Sequence, residues 1–470
     1  MSNLSKSVTD DWRSILKTST SSTPSSAPNY WSPEPLNLLT TSQPLSFSLG
    51  TGSQILSSVL KRCESTTHEL ILVTCFWAPS SSQQAISSLL LKLSAKGLSQ
   101  NRKIQVRICF SSWAIVQKLF QTSSLDGKIY EPEQWTGLGL PEPKSLGGLE
   151  MEVKSVFVRP FSVMHPKFIL VDRKLAFMPS CNVSWENWFE GCIEMEGEIA
   201  ENLFEFWVSF WAQGNTNLPP LSTQVTTSPP VQSSTALPYP PLPATSLIKY
   251  TNFPFSLSLP ETILLPSPHH MNPQFRLLSP SPCPPTPLNT FLLTLFTHAK
   301  STIFIQTPNL TCKPVVSALL TALSRGVSVY LISSSRLMIV EQLVTAGTIT
   351  EFEVWKLRRG YRMLGEEIAK KQRRADVENQ VDILGASLGE LKVGYYHPRE
   401  GVTGEEEPVK SHLKLVIVDK EVTVLGSGNM DRASWYTSQE LGVAFFSKEL
   451  ANSIRKDVDG GLEGRVDYVC

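Results

Sequence analysis

Two short stretches of the chain carry the same reactive side chains at the same spacing. In each, a histidine is followed by a lysine two residues later and by an aspartate five residues after that. The two copies are His165, Lys167 and Asp172, and His412, Lys414 and Asp419. Both lie in β-branched, apolar runs, so we expect strands on which histidine and lysine point to the same face, ~6–7 Å apart. Two copies of one reactive pattern predict a single shared active site.

A Ser-x-Asn triplet follows each copy at the same distance. Ser180 and Asn182 follow the first aspartate, and Ser427 and Asn429 follow the second. A turn at this point brings a hydroxyl and an amide group back toward each histidine and lysine. We therefore expect these four residues to support the site or to bind its substrate.

This combination of side chains suits the cleavage of a phosphodiester. One imidazole can attack phosphorus and form a covalent phosphohistidine, while the other donates a proton to the leaving oxygen. The two lysines and the two asparagines can donate to the non-bridging oxygens and stabilise the charge that develops in the transition state. Such a reaction requires no cofactor and no metal ion, and the spacing of potential ligands suggests none.

The duplicated pattern His-x-Lys-x4-Asp-x6-Gly-Ser-x-Asn resembles the phospholipase D superfamily, which includes phospholipases D, phosphatidylserine and cardiolipin synthases and some phosphodiesterase nucleases. The second copy matches at every position, whereas Pro179 stands in the first copy where the family has glycine. Proline fixes φ near −65° and lacks an N–H donor. The resemblance implies that the two motif strands meet at a pseudo-twofold interface and that His165 is the nucleophile.

The resemblance also implies a carboxylate, shortly after each asparagine, that orients a catalytic histidine through its second ring nitrogen. Glu440 fits this role in the second half. In the first half we predict Glu194, with Glu190 as the competing candidate. Asp172 and Asp419 belong to the catalytic motif of the family, but strand parity turns them away from the pocket, which favours an anchoring role.

Alternating strand and helix patterns flank both motifs and predict an α/β fold. We expect two similar halves, each a mixed β-sheet flanked by helices, packed about a pseudo-twofold axis. Residues 1–45, rich in Ser, Thr and Pro, predict a loose N-terminal arm, and residues 214–287 predict an extended Pro/Ser/Thr-rich connector. The two halves would then be residues 46–213 and 288–470.

The bulk composition limits the partners and the compartment. Lys and Arg together number 42, as do Asp and Glu, so the formal net charge is zero. Nucleic-acid-binding proteins usually carry a basic surplus, so nucleic acid is not the expected partner. The sequence shows no signal peptide and no apolar run of ~18 residues. Eight scattered cysteines predict free thiols in a reducing compartment. We expect an intracellular monomer, cytoplasmic or peripheral to a membrane.

The favoured function is that of a phosphodiesterase or phosphatidyltransferase acting on phospholipids. The segment from Trp355 to Gln380 interleaves basic and apolar residues, as in helices that lie on anionic membranes, although a solvated charged helix explains it equally well. Aromatic pairs, Trp188-Phe189 and Trp435-Tyr436, follow each asparagine at the same offset and either line a pocket or pack a helix. The alternatives are a nuclease-like phosphodiesterase and an inactive membrane-associated scaffold.

Overall fold

Two mixed β-sheets, each flanked by helices, make up the structure. The computed structural model describes residues 3–22, 35–112, 127–158, 162–212, 247–254, 259–268, 283–377, 387–402 and 407–470. The helices in these ranges are α1 (Asn3–Ser22), α2 (Gly52–Cys63), α3 (Ser81–Ser99), α4 (Glu198–Phe210), α5 (Pro287–His298), α6 (Lys313–Ser324), α7 (Ile339–Ala346), α8 (Thr350–Val377), α9 (Arg432–Tyr436) and α10 (Lys448–Leu462).

The strands fall into a first-half set, a linking pair and a second-half set. Those of the first part are β1 (Leu39–Thr41), β2 (Gln43–Gly50), β3 (Glu69–Phe76), β4 (Ile104–Ser112), β5 (Lys128–Ile129), β6 (Leu149–Ser155), β7 (Phe157–Val158), β8 (Ser162–Val163), β9 (Phe168–Val171), β10 (Leu175–Pro179) and β11 (Trp188–Glu196). The linking pair is β12 (Lys249–Asn252) and β13 (Glu261–Pro268). The remainder are β14 (Thr302–Gln306), β15 (Ser328–Ser334), β16 (Leu391–Tyr396), β17 (Lys410–Ser411), β18 (Leu415–Val418), β19 (Val422–Gly426), β20 (Gln439–Phe446) and β21 (Val466–Tyr468).

The two sheets repeat one strand order. The first runs β12-β2-β11-β10-β9-β3-β4-β6-β5, and the second runs β1-β13-β20-β19-β18-β14-β15-β16-β21. Corresponding neighbours have the same direction: β3, β4 and β6 are parallel, as are β14, β15 and β16, and the remaining neighbours along both orders are antiparallel. The predicted α/β fold of two similar halves, each a mixed sheet with flanking helices, is confirmed.

The motif strands β9 and β18 lie in the middle of the two sheets. Every residue of both strands is buried, as expected for short β-branched and apolar runs that are covered on both faces. The largest cluster of buried apolar side chains crosses from one half to the other, with Phe168 and Phe189 from the first half and Phe291 and Leu413 from the second. The halves therefore share one core, and the motif strands border it.

The expectation of a loose arm over residues 1–45 is wrong for the part that the structure describes. Helix α1 buries Leu4, Val8, Trp12 and Leu16, and the indole N–H of Trp12 donates to the main-chain oxygen of Pro287 at 3.0 Å. These four apolar residues recur every fourth position and form one face of a helix. The abundant Ser and Thr residues between them masked this pattern.

The predicted connector contains strands of both sheets. Strand β12 pairs with β2 in the first sheet, and β13 lies between β1 and β20 in the second, where Ile263, Leu264 and Leu265 are buried. Strand β1 precedes the first half in sequence but belongs to the second sheet. The outer strands are thus exchanged, and the expected boundaries of 46–213 and 288–470 do not coincide with the ends of the sheets. The sequence prediction missed β13 because its short apolar run lies within a stretch that is rich in proline.

The predicted basic segment from Trp355 to Gln380 forms most of α8, which ends at Val377. Residues 378–380, and the side chains of residues 371–377, lie outside the described part of the structure. Within the described ranges, no helix combines the length and the apolar character needed to cross a bilayer.

We expect Trp12→Ala to lower the free energy of unfolding by about 3–5 kcal/mol, because it removes a large buried side chain and leaves a cavity under α1. Unfolding in guanidinium chloride measures the change. Ile15→Ala on the same helix is the matched control, since Ile15 is 46% exposed and its loss should cost no more than about 0.5 kcal/mol. Equal stability of the two variants would show that α1 does not pack on the core.

Candidate active site

The structure brings the two histidine-lysine pairs together at the interface between the halves. The sequence predicted that these pairs lie on the motif strands, and this is wrong. Strand β9 begins only at Phe168 and strand β18 only at Leu415. Each pair instead occupies the extended segment just ahead of its strand. The main chain there pairs with the opposite half: the His165 N–H donates to the Gln439 oxygen at 3.0 Å, and the His412 N–H to the Phe189 oxygen at 2.9 Å.

Each histidine ring is held by a carboxylate of the opposite half. His165 Nδ1 lies 2.9 Å from Glu440 Oε2, and His412 Nδ1 lies 2.7 Å from Glu190 Oε1. The two glutamates directly follow the residues that accept the histidine main-chain N–H groups. Backbone and side chain of each histidine are therefore fixed by two successive residues of one foreign strand. This double contact sets the position of the ring and its tautomer together.

The prediction of Glu194 as the carboxylate of the first half is wrong, and the competing candidate, Glu190, takes this place. Glu194 lies farther along β11, where it accepts hydrogen bonds from Arg62 Nε at 2.8 Å and from Ser46 Oγ at 2.6 Å. The offset from Asn182 to Glu190 is eight residues, against eleven from Asn429 to Glu440, because the first half lacks a counterpart of α9. The strand-like run that begins at Trp188 was the available signal, since it puts Glu190 near a strand start.

The two motif serines hold the carboxylates rather than facing the histidines and lysines. Ser180 Oγ donates to Glu190 and accepts the Gly191 N–H at 2.9 Å. Ser427 Oγ likewise donates to Glu440 and accepts the Leu441 N–H at 3.0 Å. Each serine thus links a glutamate to its own strand.

Pro179 does not distort the first site. The Ser180 N–H donates to the Gly191 oxygen at 2.8 Å, so the nitrogen of the preceding residue faces the other edge of β10. On that edge the pairing with β9 has already ended at Phe177 and Ile169. The proline therefore removes no hydrogen bond from the ladder. At the corresponding Gly426, a Cβ atom would lie 2.3 Å from the Leu441 oxygen, so the second half does require glycine.

Both lysines are almost completely buried beside the histidines. Lys167 Nζ donates to the His165 oxygen at 3.0 Å, and Lys414 Nζ donates to the His412 oxygen at 2.6 Å and lies 2.9 Å from His412 Nδ1. Burial lowers the pKa of Lys414 to about 7; Glu190 opposes this change, and the charge of Lys167 adds to it. An anion bound between the two ammonium groups would relieve their repulsion.

Burial also lowers the pKa of both histidines, that of His412 to about 3, although the neighbouring carboxylates oppose the change. Burial by itself would raise the pKa of Glu190 and Glu440, but hydrogen bonds and the positive groups beside them outweigh it, and both carboxyls titrate below their usual range. The resting pairs are thus neutral imidazole and ionised carboxylate. With the Nδ1 proton directed to the glutamate, the Nε2 lone pair is left for chemistry.

The two asparagines are half-buried and differ in their partners. Asn429 Nδ2 donates to Asp431 Oδ2 at 3.0 Å, whereas Asn182 Oδ1 accepts from the Phe76 N–H at 3.4 Å. Asp431 was missed in the sequence. It caps α9 by accepting the Ser434 N–H at 2.8 Å, and an aspartate just before a short helix was the signal that could have found it.

Asp172 and Asp419 follow the last residue of their motif strands and bind main-chain N–H groups there, which is the anchoring arrangement that strand parity suggested. Asp172 accepts the main-chain N–H groups of Thr67, His68 and Glu69, all within 2.9 Å. Asp419 accepts those of residues 300–302 in the same way. Both have positive φ, 51° and 53°, and tie the tight turn after the motif strand to the start of the neighbouring strand.

The aromatic pairs are mainly packing residues. Phe189, Trp435 and Tyr436 are buried in the core. Trp188 differs, because its ring lies against His412 with the centroids 4.7 Å apart. Consistent with this cover, the His412 side chain is 5% exposed and the His165 side chain 13%.

Comparison with protein families gives a match, which covers the second half of the chain. A family model described as "Cardiolipin synthase, PLD-like domain" matches residues 292–460, which contain the second motif. No curated protein sequence matches the chain significantly.

Solved structures resemble the chain more widely. The phosphatidylserine synthase of Haemophilus influenzae Rd KW20 is 13% identical over 92% of this chain and 90% of its own, with a TM-score of 0.50. The polyphosphate kinase from Porphyromonas gingivalis is 11% identical over 87% and 49%, with a TM-score of 0.43. The phospholipase D family member Nuc from Salmonella typhimurium is 15% identical over 44% and 96%, with a TM-score of 0.28. The first of these likenesses spans both halves and is one of fold.

We expect Lys414→Met to raise the free energy of unfolding at pH 6 by about 1 kcal/mol or more, since lowering a pKa by one corresponds to ~1.4 kcal/mol. The folded state carries a disfavoured buried charge below pH 7. Between about pH 7 and the ordinary lysine pKa of 10.5, the folded protein loses this proton before the unfolded chain does, so the wild type gains stability as the pH rises. The advantage of the variant should therefore shrink by pH 9.

Guanidinium unfolding at pH 6 and pH 9 measures both differences. Lys61→Met on α2 is the control, because Lys61 is exposed and its removal should change little at either pH. A Lys414→Met protein that is less stable than the wild type at pH 6 would contradict the assigned cost of the buried charge.

Proposed function

We propose that the chain acts as a member of the phospholipase D superfamily, whose cardiolipin-synthase-like model matches its second half, and that it cleaves or exchanges phospholipid headgroups through a covalent phosphohistidine at a single site shared by both motifs. The observation that carries the proposal is the reciprocal pairing of His165 with Glu440 and of His412 with Glu190. It leaves two imidazoles with free Nε2 atoms beside two buried lysines. A phosphodiester anion complements this arrangement in charge.

In the first step, His165 Nε2 forms a bond to phosphorus while the bond from phosphorus to the leaving alcohol breaks. His412 donates its Nε2 proton to the departing oxygen. The negative charge of the bound phosphodiester raises the pKa of His412, opposing the effect of burial, and so favours the protonated form that this step requires. Glu440 stabilises the positive charge that develops on the His165 ring.

In the second step, the now neutral His412 accepts a proton from water or from an acceptor alcohol. The oxygen of that molecule forms a new bond to phosphorus, and the bond from phosphorus to His165 breaks. His165 returns to its neutral form with its proton still on Nδ1, and His412 is again protonated. Water gives hydrolysis, and an alcohol gives phosphatidyl transfer.

Lys167 and Lys414 stabilise the transition state from within a site that excludes water. Charges that are fixed in a poorly solvated pocket interact more strongly with a developing charge than they would in water, and they need no reorganisation during the reaction. Asn182 and Asn429 add amide donors to the non-bridging oxygens. No step of this scheme needs a metal ion.

Two observations favour His165 as the nucleophile. The family resemblance gives this role to the N-terminal motif. In addition, the His165 ring is the more exposed of the two, while Trp188 covers His412. Pro179, where the first copy departs from the family pattern, leaves the hydrogen-bond ladder intact and so does not weaken this assignment.

Phospholipid is favoured as substrate by the zero net charge, which gives no overall basic surplus for nucleic acid, and by an exposed apolar side chain that follows the first Ser-x-Asn triplet. Trp185, three residues after Asn182, is 61% exposed and contacts Phe76 edge-on. An exposed tryptophan at this position suits contact with acyl chains or headgroups better than contact with a polyanion.

The test is to incubate the purified protein with mixed phospholipid vesicles and, separately, with single-stranded DNA. We expect headgroup release or exchange from the vesicles, little cleavage of DNA and, after rapid quenching, a phosphoryl adduct on the peptide that contains His165. An adduct on His412 would reverse the roles of the two histidines. Degradation of DNA without headgroup release would indicate a nuclease-like enzyme, and inactivity on both would favour a scaffold.

His165→Ala and His412→Ala serve as controls for the single shared site. Because each histidine performs a different part of one reaction, each variant should lose about 10²–10⁴-fold or more of the turnover. Two independent sites would instead leave about half of the activity in each variant.

We expect Glu190→Gln to lower kcat by about 10²–10⁴-fold, because the amide no longer orients the Nδ1 proton of His412 or stabilises the imidazolium. Glu194→Gln is the matched control, four residues away on the same strand. It should reduce stability, since Arg62 loses its buried ionic partner, but leave kcat close to that of the wild type.

Steady-state kinetics and circular dichroism of both variants separate these effects. A folded Glu194→Gln protein with a large loss of kcat, together with a nearly normal Glu190→Gln protein, would restore the original assignment of Glu194.

A further inference from the structure

An exposed apolar surface covers helix α7 and the first half of α8. Its members are large apolar residues that the fold leaves in solvent. They are Val340, Leu343, Val344, Phe352, Trp355 and Met363, each between 45% and 76% exposed. We call this surface the α7–α8 face. Exposed apolar groups scattered singly need no explanation, but six large ones on two successive helices point to an interaction site.

Helix α7 buries its polar side and exposes its apolar side, the reverse of an ordinary surface helix. Its buried residue is Gln342, which donates to the Asn309 Oδ1 atom at 3.1 Å and accepts from the Thr350 N–H at 2.8 Å. Its valines and its leucine at 343 point outward. A helix that only needed to pack on its own protein would bury the apolar side and expose the amide. The orientation of α7 is therefore fixed by polar contacts, and its apolar side is left exposed.

Helix α8 shows aromatic and basic groups together on its exposed side, while Val354 and Leu357 are buried on the other. The rings of Phe352 and Trp355 stack, with centroids 5.6 Å apart and planes 5° apart. Lys356 Nζ lies 4.4 Å from the centre of the Phe352 ring, and the Arg359 guanidinium 5.4 Å from that of Trp355. Aromatic rings with cations over them are typical of surfaces that insert at the level of lipid headgroups.

The charge of the α7–α8 face complements an anionic surface. Arg358, Arg359 and Arg362 are exposed within one turn and a half of α8, next to Trp355. Lys356 is paired with Glu353 at 2.7 Å, so it adds less. Because the chain as a whole has no net charge, this cluster is a local feature and not a consequence of a basic protein.

The α7–α8 face is connected to the active site through α9. Arg432, three residues after Asn429, donates from Nη1 to the Thr345 oxygen at the end of α7 at 3.0 Å. On the opposite half, the exposed Trp185 stands three residues after Asn182. Exposed apolar groups therefore occur in both halves, Trp185 close in sequence to Asn182 and the α7–α8 face joined through Arg432 to the segment that follows Asn429.

We propose that the α7–α8 face docks the enzyme on an anionic lipid bilayer and thereby presents the shared site to headgroups. This inference rests on the proposed phospholipid substrate and adds the surface through which the protein reaches it. The apolar residues enter the headgroup region, and the arginines attract the anionic lipid. A protein partner is less well suited, because aromatic rings with cations over them, as on α8, suit the level of lipid headgroups.

Co-sedimentation with phosphatidylglycerol-phosphatidylcholine vesicles, over a range of salt concentrations, tests the proposal. The triple variant Arg358→Gln, Arg359→Gln, Arg362→Gln should bind about fivefold more weakly for each charge removed, with a smaller salt dependence. The double variant Phe352→Ser, Trp355→Ser should bind about tenfold or more weakly with an unchanged salt dependence. Both should turn over a monomeric short-chain phosphatidylcholine at the wild-type rate.

The matched controls carry equivalent changes far from the α7–α8 face. They are the triple variant Lys61→Gln, Lys103→Gln, Lys144→Gln and the single variant Leu98→Ser, all at exposed positions, and they should bind vesicles like the wild type. Undiminished vesicle binding by both α8 variants, or no binding of the wild type to anionic vesicles, would overturn the docking proposal. Absence of turnover on the short-chain lipid by every form, with vesicle binding intact, would instead overturn the proposed function alone.

Discussion

The exchange of histidine and glutamate between the halves is the contact on which the site depends. Each imidazole is oriented by a carboxylate that belongs to the opposite sheet, so neither half contains an oriented catalytic pair by itself. The main chain repeats the exchange: β17 pairs with the start of β11, and Met164 pairs with Gln439. The shared hydrophobic core must therefore hold the sheets in one register, since a displacement of even one residue would separate both rings from their carboxylates.

The same contact explains why the protein tolerates so much buried charge. Two lysines and two glutamates lie almost without solvent exposure beside the histidines, and groups of this kind are costly to bury even when paired. The serines and main-chain groups that hold the glutamates reduce this cost but do not remove it, as the lowered pKa of Lys414 indicates. Under the proposed function this cost has a return, because a fixed charge in a dry pocket acts strongly on a phosphoryl group.

Sequence alone predicted the fold class and the histidine and lysine positions, because a duplicated motif and the strand and helix periodicities are local signals. It did not favour Glu190 over Glu194, because the choice depends on how many residues separate a turn from a strand, and the first half is three residues shorter there than the second, which has α9 at this point. Nor did it predict α1 or β13. The apolar residues of α1 and of β13 are few and lie among Ser, Thr and Pro residues. Each element is stabilised by contact with a part of the chain that is distant in sequence, α1 with Pro287 and β13 with β20.

The exchanged outer strands have a consequence for the chain as a whole. Strand β1 precedes the first half in sequence but forms an edge of the second sheet. Strand β12 follows the first half in sequence but forms an edge of the first sheet. A single break anywhere in residues 213–246 would yield two fragments, each holding an edge strand that belongs to the other. Rejoining the fragments would therefore require each to add an edge strand to a sheet of the other, and the two histidine rings would meet their carboxylates only in the joined form.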